Sequence, residues 1–142
     1  MFWQILLIAA AIAFVALIAK SVLNGFRRSR SAKMKAASLM KDRNSLTARQ
    51  FASKYFPDQT DAAICVYDIL VNNLIVDVTR IEPTDRLYQD LALGAVDALA
   101  PAHFAVDIDE AFGLDPTKLL ECNSTTVKDI VAFVHHGTRN AG

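Results

Sequence analysis

Residues 97–137 read DALAPAHFAVDIDEAFGLDPTKLLECNSTTVKDIVAFVHHG, and this stretch decides the fold class. Pro101 cannot sit deep in a helix, so a helix has to begin between Asp97 and Pro101. Phe104, Ala105, Ile108 and Phe112 then recur at helical spacing on one apolar face, and Gly113 supplies the stop. After a loop containing Pro116, Thr126 and Asp129 stand where they can cap a last helix. That helix buries Val127, Ile130, Val131 and Val134 and is expected to end at Gly137.

The same grammar extends upstream. Thr47 and Gln50 have the capping-box spacing, and the short helix they open is stopped by Pro57 after Tyr55 or Phe56. Thr60-Asp61 opens another helix, on which Ile64, Val66, Tyr67, Leu70, Val71 and Leu74 recur at helical spacing. The run LIVDVTRI, residues 74–81, has the β-branched content of a short strand. Its position favours the end of that helix and the start of a loop through Pro83. Amphipathic stripes of this kind pack most simply as an all-α bundle of three or four helices over residues 45–142.

Charge divides the chain in two. The 142 residues carry 15 basic and 15 acidic side chains, yet residues 1–50 sum to +8 and residues 51–142 to −8. Apolar residues make up 53% of the chain, above the usual share for a soluble domain, and the excess sits at the N-terminus. Residues 1–19, MFWQILLIAAAIAFVALIA, contain no charge and one polar side chain, Gln4; Val22, Leu23 and Phe26 prolong the run. About 20 such residues cross a hydrocarbon core, and Trp3 suits a headgroup boundary. A cleaved secretory signal would need a basic segment before the apolar run, and the bases come after it. The sequence therefore predicts a transmembrane anchor over 1–26, a basic juxtamembrane stalk over 27–44 and a helical domain over 45–142. Lys20, Arg27, Arg28, Arg30, Lys33 and Lys35 are the expected membrane-surface residues. Positive flanks stay cytoplasmic, so the expected topology is single-pass in a bacterial inner membrane with the C-terminal domain in the cytoplasm. The stalk reads as a basic helix along anionic headgroups or a continuation of the anchor helix. The acidic remainder argues against nucleic acid as a partner.

From Ile81 to Val134 the order of residues resembles an acyl carrier protein. The matching positions are Asp90-Leu91, then Asp97-Ala98-Leu99, then Asp109-Glu110-Ala111-Phe112-Gly113, and finally Thr126-Val127-Lys128-Asp129-Ile130, with Thr60 to Leu74 as the first helix. The resemblance covers about 80 of the 142 residues and rests on order, spacing and acidity together. It implies a small four-helix domain whose second helix docks basic surfaces of partner proteins. Carriers hold their cargo on a phosphopantetheine arm esterified to a serine, and Ala98 stands at that position. No serine occurs between Ser53 and Ser124, so no shift of the alignment restores one. The expected cofactor is none.

The remaining chemistry is sparse. His135 and His136 are adjacent and point about 100° apart on a helix, unlike the i, i+4 pair of helical metal sites, and no metal is expected. His103 and Asp107 form an i, i+4 pair that reads as a surface pair before a proton-transfer couple. Cys65 and Cys122 have no CxxC spacing and no basic activator in sequence, so both are expected to be reduced and buried. No nucleophile elbow, P-loop or dinucleotide fingerprint occurs, and no catalytic residue or enzymatic activity is expected. What remains is an acidic helix. Asp97, Leu99, Asp107, Asp109 and Glu110 are the expected partner-binding residues, for a protein with a basic surface. The expected function is a non-catalytic, membrane-tethered carrier-like module. The alternatives are an accessory subunit of a larger membrane complex and a carrier with an unrecognised attachment site.

Overall fold

The structure, a computed structural model, describes the backbone of residues 2–140 and the side chains of residues 12–140. Among the described residues six α-helices follow one another: α1 (Phe2–Met40), α2 (Ala48–Tyr55), α3 (Thr60–Asn73), α4 (Ala100–Phe112), α5 (Thr117–Leu120) and α6 (Val127–Asn140). Single 3₁₀ turns lie at Pro57–Gln59 and Val78–Arg80. Among the described residues there is no β-strand, only one isolated antiparallel bridge between Arg86 and Thr126. The all-α expectation holds.

Residues 1–31 and 32–142 form two compact units. In the first, every large apolar side chain from Ile12 to Phe26 stands exposed. Among the described residues no helix is long and apolar enough to cross a membrane. The first eleven side chains of the anchor expected over 1–26 lie outside the described residues. The second unit begins at Ala32, earlier than the residue-45 boundary expected from composition. The physical reason lies in two small apolar residues of the basic stretch. Ala36 and Met40 are buried, so the last turns of α1 belong to the domain.

The core of that domain forms where the apolar faces of α2, α3, α4 and α6 meet. Ala63, Val66, Tyr67 and Leu70 of α3 recur at i, i+3, i+4 and i+7 and are buried, as are Phe104 and Ile108 of α4 and Val127, Ile130, Val131 and Val134 of α6. Phe51 of α2 packs its ring 5.4–5.5 Å from Tyr55, Phe56 and Tyr67.

Local signals set most ends. The Thr47–Gln50 capping box is present in both directions, and α2 ends at Tyr55 before Pro57. At the end of α4, Gly113 takes the left-handed conformation, φ 65°, and its N–H bonds back to Asp109. Thr126 and Asp129 cap α6 reciprocally: each main-chain N–H donates to the other's side chain.

Three expectations need correction. The helix α3 stops at Asn73, so the run 74–81 does not prolong it: Leu74 is extended, and only Val78–Arg80 turn again, opened by the Asp77 carboxylate. Helix α6 does not stop at Gly137 but runs to Asn140. Glycine serves packing there, because a Cβ at 137 would collide with the side chain of Leu114. Finally, Cys65 and Cys122 are exposed rather than buried. Cys65 falls off the buried stripe of α3, and Cys122 lies in the turn after α5.

Candidate docking face on helix α4

The long connection between α3 and α4 is what presents this face. Glu82 to Leu87 lie against the start of α6: Leu87 N–H donates to Thr125 O (3.0 Å), Val127 N–H to Asp85 O (3.0 Å) and Lys128 N–H to Pro83 O (2.9 Å). The last two bonds satisfy N–H groups that the first turn of a helix leaves without partners. Leu87, Leu91 and Leu93 then plug into the core. A turn through Ala92 (φ 57°) and Gly94 (φ 77°) follows, both left-handed. A Cβ on Gly94 would lie 3.1 Å from Pro101 Cγ, so glycine allows the turn to close against the first turn of α4. The chain emerges at Val96.

From Ala95 to Leu99 every residue is exposed. Asp97 opens α4: its carboxylate accepts the Leu99 N–H at 2.9 Å, and its carbonyl accepts the Ala100 N–H at 3.1 Å. Ala98 presents only an exposed methyl group. Leu99 is 62% exposed, and Val106, seven residues on, is 52% exposed on the same side of the helix. His103 lies between them and Glu110 one turn further, giving an outer stripe with Asp109 beside it, all exposed. Val96 adds a third exposed apolar side chain at the helix entrance. Among the described residues, Asp97, Asp109 and Glu110 enter no ion pair.

Asp107 stands apart from the other expected docking carboxylates. It is half-buried and accepts a hydrogen bond from Asn73 Nδ2 at 2.6 Å, which ties α4 to the end of α3. It forms no ion pair with His103 among the described residues. Val106 was not among the residues singled out from sequence. Its i+7 distance from Leu99, and its place off the Phe104–Ile108 face, were the signals that mark it. Along the flank of α4, Tyr88, Pro101, Ala105 and Leu120 line a shallow, mainly apolar depression of about 370 Å³.

Elsewhere the expected sites stay dispersed. His135 and His136 sit edge to face, 5.6 Å between ring centroids. Among the described residues no three His, Cys, Asp or Glu side chains gather where they could hold a metal. Of the basic stretch, Lys35 turns toward the Gln89 carbonyl (3.4 Å), while Lys33 borders a groove on the opposite side of the domain's first helix turns. The thiol of Cys122 lies 3.0 Å from Ser124 Oγ, a contact that pulls its pKa below the usual thiol value.

No family model matches the chain, and neither a curated protein nor a solved structure does.

Proposed function

We propose that this protein is a non-catalytic, membrane-tethered docking module of acyl-carrier-like plan. It captures a protein with a basic surface through the outer face of α4. The observation that carries the reading is the exposed apolar pair Leu99 and Val106, set among the exposed carboxylates Asp97, Asp109 and Glu110. Apolar residues at the centre of a contact set its lifetime, and surrounding charges set the encounter rate and the salt sensitivity. The element order supports the carrier-like plan: a 14-residue helix, a long connection, a 13-residue helix, a four-residue helix and a 14-residue helix. Ala98 supplies no hydroxyl for an arm, so the module works by binding and not by carrying cargo. The uncharged run through residue 19 and the bases after it support a tether in a bacterial inner membrane, with the domain on the cytoplasmic side.

The test compares the full chain with D109K/E110K and L99D/V106D variants, recovered from native membranes in mild detergent. Both variants change exposed side chains and should unfold within a few degrees of the parent. Loss of the same partner from both, with the parent interaction weakening as salt rises, is the expected result. Equal recovery by all three proteins would place the function elsewhere in the chain. Intact mass after co-expression with a promiscuous phosphopantetheinyl transferase should stay at the sequence value. An added arm would instead revive the carrier alternative.

A further inference from the structure

A second surface of the domain has the opposite chemistry. Between the last turns of α1 and the segment after α3 runs a groove of about 350 Å³. Ala37 and Met40 form its floor on one side, Ile75 and Val76 on the other. Ile75 is half exposed although nothing polar would be lost by covering it. Arg80 and Asp77 also border the groove but neutralise each other at 3.2 Å, and Arg80 Nη1 is committed to the carbonyls of Met40 and Lys41. Two charges therefore remain uncompensated: Lys33 and Lys41, both exposed and, among the described residues, in no ion pair. Lys33 belongs to the last turns of α1 and Lys41 follows directly after its end, and both border the apolar floor.

We propose that this groove binds an anionic phospholipid of the membrane to which the protein is tethered, a step that rests on the tether proposed above. The occupant follows from the pairing of charge and floor. A free phosphate would use the lysines and leave Ile75 and Val76 exposed, and a neutral lipid would cover the floor and leave both ammonium groups without a counter-charge. A phosphodiester with acyl carbons beside it satisfies both. Reach agrees as well. Lys33 is seven positions after Phe26, the end of the apolar run, so even fully extended chain keeps Lys33 within about 25 Å of it. Arg27, Arg28 and Arg30 lie in that interval and enrich the adjoining surface in anionic headgroups. For a domain whose residues 32–142 sum to −4, facing a negative leaflet, this groove is a place where approach is attractive.

The experiment places the full chain in phosphatidylcholine vesicles containing a phosphatidylglycerol analogue with a photoreactive acyl chain, and maps adducts by mass spectrometry. Adducts on the peptides holding Met40 and Ile75 are expected. They should fall roughly thirtyfold in K33Q/K41Q, two lysines lost at a charged surface, and stay unchanged in K54Q/K128Q, whose lysines lie elsewhere on the domain. Adducts confined to residues 1–30, an equal yield from a photoreactive phosphatidylcholine, or suppression by inorganic phosphate would each overturn the proposal. Carbonate extraction of the same vesicles reads the tether separately. A chain that is extracted, yet labels at Met40 and Ile75 with the charge dependence above, removes the tether and keeps the groove. A chain that resists extraction and does not label there does the reverse.

Discussion

Arg43 and Asp85 meet face to face across 42 residues of chain, Nη1 2.6 Å from Oδ2 and Nη2 2.9 Å from Oδ1. The pair joins the end of α1 to the long connection. Asp85 is 3% exposed, and its carboxylate also accepts the Glu82 N–H at 2.7 Å. The guanidinium is held protonated beyond its ordinary value, chiefly by its hydrogen bond to Asp85.

Replacing Arg43 by Ala leaves Asp85 buried without its counter-charge. The cost should be about 3 kcal/mol, the low end for breaking a buried pair because the Arg43 side chain is partly exposed. R43A/D85A should cost less than the two single changes together, since the stranded charge is gone. Denaturant midpoints of the four proteins check both statements, and additive losses would mean that the pair is not coupled.

Tyr67 is buried, and its hydroxyl donates to the Leu46 carbonyl at 2.8 Å. Tyr67→Phe should cost about 1 kcal/mol. Burial raises its pKa above 10.0, with the charges of Asp77 and Asp68 adding to the shift. A raised folded-state value means that the contribution is whole below pH 10 and is lost as pH rises through the higher folded value. Alkaline unfolding should therefore begin later for Y67F than for the parent, once both are compared at equal stability at pH 7.

Acid acts through a different residue. Hydrogen bonds from the Arg86 side chain hold Asp90 below its usual 3.8, and the Arg86 N–H adds to the effect. A depressed value contributes stability above pH 3.8 that disappears as pH falls through the folded-state value. D90N should flatten this part of the acid unfolding curve. An unchanged profile would show that the Arg86 contact is too exposed to matter.

The Cys122 thiol is exposed and its pKa is lowered, first by its side-chain hydrogen bond with Ser124. Ser124→Ala should slow its alkylation by iodoacetamide near pH 7.5, because less thiolate is present. The rate at Cys65, on helix α3, should not change and serves as the internal control.

Gly113 ends α4 at φ 65° with open space where a side chain would go. Gly113→Ala should therefore cost about 1–2 kcal/mol from backbone conformation alone, without a clash. A thermal shift near zero would show that the chain finds another way to leave the helix.

Where helices begin and end was legible because those choices are made by neighbours in sequence. Thr47 with Gln50, Thr126 with Asp129, Pro101 and Gly113 act on backbone groups within one turn, and each acts as its residue type requires. The apolar stripes of α3, α4 and α6 were legible for the same reason, since a face of 3.6-residue period is written along the chain. The acidic character of α4 and the absence of a serine at position 98 are also properties of sequence alone.

Tertiary structure decided the rest. Asp107 and Asp109 are two residues apart and chemically identical, yet Asp107 is taken by Asn73 from another helix while Asp109 stays free. Nothing local separates them. Ala36 and Met40 look like part of a basic stalk until the domain covers them, and Gly137 reads as a stop until Leu114 fills the space that its missing side chain leaves. The groove between Lys33, Lys41 and Ile75 exists only because residues about forty positions apart are brought together. A cap or a stripe costs the chain only local order, which the sequence specifies directly. A burial or a long-range partner depends on which surfaces the whole fold brings into contact.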